Sequence, residues 1–315
     1  MRLFCAIALL LLMSLPLAAQ DSATRDRVIA AFSQWMADHD IAKGALELQF
    51  KGAHFASHSV GIGASDTLEM ASLGKAITGV CVAELVREGR MAYSDRYSDL
   101  VGQGPDVTIA QLLTHASGLT TDSTQTLMPD WLDDPQDQAE TVLDQVIARG
   151  DPQGQVGSFA YNNENYALLS IAIEVATLNS YEATCVSRVL EPAGVNAERS
   201  PRTGGFLAWG GWQMSLKDYA KFMSHWFGEG FAPTDHPNAH VNRGAHYGLG
   251  MFFREFRGSH NYWHFGALCF PDRLNTGTYA VSWMGEWSLV ASYETCPGWD
   301  AMGALDGALS GAVFQ

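Results

Sequence analysis

Apolar residues recur at steps of three and four over residues 24–38, where Val28, Ile29, Phe32 and Met36 predict a helix. Over 44–60 apolar and polar positions alternate loosely, and Gly61 and Gly63 follow, which predicts a pair of strands. Ile77, Val80, Cys81 and Leu85 then form a helical stripe running from Ser72 to Glu88, closed by Gly89. The middle of the chain is helix-rich. Leu112 and Leu113 lead into a turn at Gly118, and 137–149 is amphipathic around Val142, Val146 and Ile147. Further helices are predicted over 166–176, 181–190 and 217–227. Strands return over 248–256, 261–270, 276–284 and 288–293, and 302–313 is helical again.

Strands at both ends with helices between them predict an α+β fold. Its core is one antiparallel sheet built from both chain ends and flanked by helices, with an inserted helical lobe. A cleft beside that lobe is the expected binding site. No internal repeat or low-complexity linker divides the chain, so residues 20–315 read as one domain.

Composition narrows the picture. Hydrophobic residues make up 47% of the chain, with Trp 9, Tyr 10 and Phe 15, enough to build a large core rather than a disordered segment. The formal net charge of −15 repels nucleic acid and anionic membranes, so a small-molecule partner is expected. Residues 1–19 carry Arg2, an apolar run and then Ala18 and Ala19, the pattern of a cleaved export signal. A secreted or periplasmic protein is expected, with no membrane span once the signal is removed. Beyond the signal stand Cys81, Cys185, Cys269 and Cys296. Four cysteines allow three connectivities. Cys269 and Cys296 flank a predicted strand pair and are the preferred bridge, whereas Cys81 reads as a small core residue. No cysteine pair has the close spacing of a zinc site, and no metal is expected.

Three short segments carry candidate chemistry. The first is Ser72-Leu73-Gly74-Lys75. Residues three apart share a helix face, so Lys75 reaches the Ser72 hydroxyl. A buried lysine loses basicity and accepts a proton from such a hydroxyl, which is otherwise a poor nucleophile. A helix N-terminus at Ser72 also favours developing negative charge. The second segment is Tyr161-Asn162-Asn163. A lysine ammonium drives a neighbouring phenol toward phenolate, a general base, and Asn163 is placed to bind both the lysine and a substrate carbonyl. The third is His264-Phe265-Gly266, within a predicted strand. Glycine there lets a substrate backbone approach closely, and the N–H of Ala267 is placed to join that of Ser72 in an oxyanion hole.

The order of these segments and their flanking text resemble the serine β-lactamase and penicillin-binding protein superfamily. The nearest branch holds class C β-lactamases, D,D-carboxypeptidases, D-aminopeptidases and family VIII carboxylesterases. The resemblance rests on Ala71 to Lys75, on Leu112-Leu113-Thr114-His115-Ala116-Ser117-Gly118-Leu119 and on Phe159 to Leu169. Glu191-Pro192-Ala193-Gly194 and Gly210-Gly211-Trp212 also fit. It implies a β-lactamase/transpeptidase-like fold and an acyl-enzyme on Ser72, with Lys75 and Tyr161 moving the proton. It also implies that Ser72 and Ala267 hold the oxyanion and that Asn163 supports Lys75 and substrate. His115 is implied as a structural residue at a turn. Neither metal nor organic cofactor is implied.

The chain departs from this pattern at Phe265, where relatives carry the hydroxyl that binds a substrate carboxylate, and at His264, which is only weakly basic. Pro271 stands where relatives have a glycine-rich turn, so the strand is expected to stop there. Trp209 and Trp212 fall in a loop expected to border the cleft; Trp212 is a candidate for the acyl pocket, and a pair of ordinary core tryptophans is the alternative. These departures favour an esterase-like hydrolase of small or medium acyl esters. A D,D-peptidase, D-amino-acid amidase or β-lactamase is a second reading, and a non-catalytic binding protein on the same fold a third.

Overall fold

The computed structural model describes the backbone of residues 3–150 and 152–315 and the side chains of 21–150 and 152–315. The side chains of the expected export signal lie outside the described residues. The helices are α1 (Leu3–Asp38), α2 (Gly74–Arg87), α3 (Tyr97–Val101), α4 (Ile109–Leu113), α5 (Thr124–Leu127), α6 (Ala139–Arg149), α7 (Glu164–Thr177), α8 (Tyr181–Cys185), α9 (Leu216–Trp226) and α10 (Trp299–Phe314). The strands are β1 (Gly44–Phe50), β2 (Ala53–Val60), β3 (Leu68–Glu69), β4 (Ala197–Arg199), β5 (Trp212–Met214), β6 (Ala239–Asn242), β7 (Ala245–Gly248), β8 (Met251–Phe256), β9 (Ser259–Phe270), β10 (Leu274–Trp283) and β11 (Trp287–Tyr293). Among the described residues no helix is long and apolar enough to cross a membrane.

An eight-stranded sheet runs in the order β2-β1-β11-β10-β9-β8-β7-β6, each neighbouring pair antiparallel. Both chain ends therefore meet in one sheet: Gly44 of β1 lies opposite Tyr293 of β11. Alternation along the strands gives each face its own core. On one face Leu46, Leu48, Tyr279 and Leu289 pack with Phe32 and Trp35 of α1 and with Leu305 and Leu309 of α10. On the other, Ala45, Ala280 and Val290 join the larger cluster that fills the helical lobe inserted between β2 and β6.

Two short elements went beyond the periodicity. β6 and β7 form a hairpin at the sheet edge, and β3, β4 and β5 form a separate three-stranded sheet. Runs of two to four residues are too short to show an alternation. Cys81 is not a free core thiol. It is bridged to Cys185, tying α2 to α8, while Cys269 is bridged to Cys296. β9 ends at Phe270, and Pro271 opens the turn into β10.

Candidate active site

Ser72 sits in a single turn of 3-10 helix, Ala71–Leu73, that runs into α2 at Gly74. Ala71 has φ +50°, a left-handed conformation that costs a non-glycine residue about 1–3 kcal/mol. The turn is clamped on several sides. Met70 donates its N–H to Trp212 O in β5 (2.9 Å), Thr278 of β10 donates to Met70 O (3.0 Å), and Tyr219 of α9 donates to Leu73 O (2.8 Å). These bonds hold the strained turn, and hence the Ser72 hydroxyl, in place.

Lys75 lies one turn on and is fully buried. Its Nζ donates to Ser72 Oγ at 3.0 Å and to the Trp209 carbonyl at 2.7 Å. Burial follows from tight packing of the β7–β8 turn on α2. Gly250, at φ +80°, leaves a space where a Cβ would stand 2.4 Å from the Lys75 carbonyl carbon. That burial lowers the Lys75 pKa from its ordinary 10.5 to about 7, against an upward pull from the Asp122 carboxylate. Near neutral pH a large share of Lys75 is therefore uncharged and able to accept a proton.

Tyr161 follows the loop that packs on the His115 turn. Ala160 N–H donates to His115 O (2.8 Å) and Asn162 N–H to His115 Nδ1 (3.3 Å), while Asn165 Nδ2 also approaches that nitrogen (3.1 Å). His115 has φ +54° and is fully buried, and burial holds its pKa well below the ordinary value. It is a structural hinge under the tyrosine, with its ring 4.4 Å from that of Tyr161. Lys75 Nζ stands 5.1 Å from the Tyr161 ring centroid. Tyr161 is 40% exposed and lines the cavity, and its hydroxyl is the group that titrates. Burial pushes it above its ordinary value, and a hydrogen bond from Ser72 only partly offsets this. The hydroxyl is thus shifted away from the phenolate that a neighbouring ammonium was expected to favour, whereas Lys75 is shifted toward its neutral form.

Asn163 also departs from expectation. It lines the cavity, but its Nδ2 donates to Thr124 Oγ1 (2.9 Å), and its backbone N–H to Asp122 Oδ2 (3.1 Å). Lys75 donates its hydrogen bonds to Ser72 Oγ and the Trp209 carbonyl instead. The hub of this loop is Asn162, whose side chain donates to the Leu119 and Thr121 carbonyls and accepts from Glu164 N–H. Trp212 is a further correction: it is fully buried, donates to the Tyr181 hydroxyl (3.1 Å) and packs against Gly74, so it is core. Trp209 is the member of the pair that lines the cavity.

β9 supplies the opposite wall. Its pairing with β8 stops at Trp263, whereas its pairing with β10 continues to Phe270. Residues 264–270 therefore present an edge without a β8 partner along the cavity. Gly266 has a more local reason than a passing substrate. A Cβ there would stand 2.3 Å from Thr278 Oγ1, 2.9 Å from Ala71 Cβ and 3.0 Å from Ser72 N. The glycine lets the Ser72 turn itself seat on the strand, and Ala267, exposed on the cavity, follows at once. His264 is buried and neutral. Burial and the Lys75 charge lower its pKa to about 3, and among the described residues neither ring nitrogen has a hydrogen-bond partner. Phe265 lines the cavity, but its ring stacks on Tyr279 at 4.7 Å, so most of its bulk serves the far face of the sheet.

The cavity has a volume of about 640 Å³. Besides Ser72, Tyr161 and His264 its wall includes Met128, Phe159, Phe206, Phe252, Phe270 and Met302, and among the described residues no Asp, Glu, Lys or Arg side chain lines it. Asp122, which faces Lys75, and Trp209, whose carbonyl binds it, are site residues that periodicity and motif reading passed over. A backbone carbonyl leaves no mark in side-chain text, and an aspartate in a polar loop looks like any solvated one. Among the described residues no cluster of His, Cys, Asp or Glu is arranged to hold a metal ion.

Comparison with known proteins shows the family and the fold. The Beta-lactamase family model matches residues 56–282. Protein flp of Staphylococcus aureus (strain NCTC 8325 / PS 47) is 30% identical over 132 residues, covering 39% of this chain and 26% of that protein. Penicillin-binding protein 4* of Bacillus subtilis (strain 168) is 29% identical over 138 residues, covering 42% of this chain and 30% of that protein. The chain thus matches less than a third of the length of these curated relatives. Among solved structures, a D-stereospecific amidohydrolase from Streptomyces sp. superposes with a TM-score of 0.74 at 18% identity, covering 92% of this chain and 98% of that one. The octameric penicillin-binding protein homologue from Pyrococcus abyssi gives 0.74 at 19% identity, covering 90% and 77%. The D-amino acid amidase from Ochrobactrum anthropi SV3 gives 0.70 at 16% identity, covering 92% and 100%. The structures share the fold, and the family match spans Ser72, Lys75, Tyr161 and His264 alike. This chain belongs to the Beta-lactamase family of serine hydrolases.

Proposed function

We propose that the protein is an exported acyl hydrolase of uncharged esters, acting through an acyl-enzyme on Ser72. The observation that carries the substrate class is the cavity wall: it offers Ser72 a mostly apolar chamber with, among the described residues, no charged side chain and a neutral His264. An anionic peptide or β-lactam entering it would lose hydration without gaining a counter-ion. An ester with an apolar acyl group loses only apolar contact with water.

The steps follow from the residues. Neutral Lys75 takes the Ser72 proton across their 3.0 Å contact as Oγ attacks the ester carbonyl. The carbonyl oxygen becomes an oxyanion and is received by the N–H groups of Ser72 and Ala267. Tyr161, kept protonated, passes a proton to the departing alkoxide and is reprotonated from Lys75. Water then attacks the acyl carbonyl and gives its proton to Lys75; the acyl–Oγ bond breaks as Lys75 returns that proton to Ser72 Oγ, releasing the acid with Ser72 and neutral Lys75 regenerated.

The test offers the purified protein a chromogenic ester, a chromogenic cephalosporin, a D-alanyl dipeptide and a D-amino-acid amide, with Ser72→Ala in parallel. Ester turnover is expected, and Ser72→Ala should lower it roughly 10⁴-fold. Turnover of the cephalosporin or amide with none of the ester would move the assignment to the lactamase or amidase side. Ester turnover surviving in Ser72→Ala would remove the nucleophile.

A further inference from the structure

The cavity does not end at the catalytic turn. It continues along the open edge of β9 to Cys269 and Phe270, and Trp299 and Met302 of α10 line it as well. These last two residues belong to the layer that covers the other face of the sheet, since α10 seats Leu305 and Leu309 there. Trp299 is 76% exposed, an unusual setting for a large apolar ring, and it stands beside an apolar hollow.

Trp35 Nε1 of α1 donates to Ala301 O (2.8 Å) in the first turn of α10, and the link before the helix adds a second tie. Residues 294–298 join β11 to α10. Glu294 donates to Lys43 O and Thr295 to Tyr293 O, but among the described residues nothing accepts a hydrogen bond from the backbone N–H of Cys296 or Gly298, and Pro297 has none. Gly298 gives α10 no side-chain cap. Within the link the tie is the bond from Cys296 to Cys269, which is itself a wall residue of the cavity.

We propose that the Cys269–Cys296 disulfide fixes Trp299 and Met302 as the far wall of a compartment for the substrate's acyl chain, and so sets the chain length accepted. This rests on the ester hydrolase reading above and names the part of the substrate that reaches beyond Ser72. The carbonyl sits at the nucleophile, the first carbons pass the β9 edge, and a chain of medium length is needed to reach Trp299. Each methylene buried there favours binding, whereas an acetyl group ends before the compartment. The bridge positions this wall and takes no part in the chemistry.

The experiment compares kcat/KM for octanoyl and acetyl p-nitrophenyl esters in the wild type, in Trp299→Ala and in the double variant Cys269→Ser/Cys296→Ser. The octanoyl-to-acetyl ratio is expected to fall about tenfold in Trp299→Ala and several-fold in the double variant. Because Trp299 is exposed, its variant keeps the test valid should the double variant fail to fold. A ratio within about twofold of wild type in Trp299→Ala overturns the proposal. A second arm measures binding of octanamide and butanamide by calorimetry. Preference for octanamide that disappears in Trp299→Ala supports the compartment even if no ester is hydrolysed, in which case only the ester reading falls. Equal affinity for both amides in the wild type overturns the compartment whatever the esters do.

Discussion

The two walls of the cavity are built on opposite terms. The wall that carries Ser72 is polar, strained and clamped: Ala71 at φ +50°, three hydrogen bonds from distant elements, and a lysine buried without a carboxylate in hydrogen-bond contact. The wall that faces it is apolar and loosely specified, with aromatic rings and methionines beside an open strand edge. Bond-making tolerates little displacement, so the first wall spends stability on fixed geometry. A chain of methylenes asks only for dry surface of adequate length, so the second can be assembled from whatever residues the fold brings there.

Replacing Lys75 tests the first wall most severely. Lys75→Met should lower kcat/KM by roughly 10³-fold, because it removes the acceptor of the Ser72 proton. The same change should stabilise the fold at and below neutral pH, where the wild type must bury an ammonium. The sign follows from proton binding. The folded pKa is about 7 and the ordinary value 10.5, so between them the unfolded chain holds a proton that the folded one has released. Wild-type stability therefore rises with pH through that window, and its deficit against Lys75→Met narrows. Urea unfolding at pH 6 and pH 9 measures the gap; a gap that does not narrow would show that Lys75 is charged in the fold at both pH values.

Gly266→Ala tests the junction between the walls. Its Cβ would meet Thr278 Oγ1 and the Ser72 backbone, pushing the nucleophile turn off β9. A fall in kcat of about 10²-fold is expected with far-UV circular dichroism preserved, as a displacement near 1 Å costs that much. Undiminished kcat would mean that the turn does not depend on the strand.

Asp122→Asn is the mildest probe. The carboxylate supports the charged form of Lys75, so its removal should move the acid limb of kcat/KM, expected near pH 7, to lower pH. The amide oxygen keeps an acceptor for the Thr124 N–H and hydroxyl, whereas its NH2 takes the place of the oxygen that accepts from Gln125 and the Asn163 N–H. A drop in amplitude with the limb unmoved would reduce Asp122 to a structural role.

Legibility followed range along the chain. Helix α9 and the strand pair β1–β2 were readable because each repeats its apolar period over enough residues. The edge hairpin β6–β7 and the small β3–β4–β5 sheet were too short to show one. Within the site, Ser72 and Lys75 declared themselves because a helix fixes the distance between residues three apart. The errors at Asn163 and Trp212 arose where side-chain direction, not position, decides the partner: one turns to Thr124, the other into the core beside Tyr181.

By itself the sequence determined the pairing of Ser72 with Lys75, the alternation that makes a sheet from both ends, and the order of the motifs. All of these rest on local spacing, which backbone geometry converts directly into distance. Only the tertiary structure decided which proton acceptor is tuned for the task. The lysine's pKa depends on Gly250 and the turn pressed against α2, and on Asp122 from another loop. It also decided that Cys269, Trp299 and Met302 share one cavity with Ser72. Desolvation and cavity shape are sums over residues far apart in the chain, and no window of sequence contains their terms.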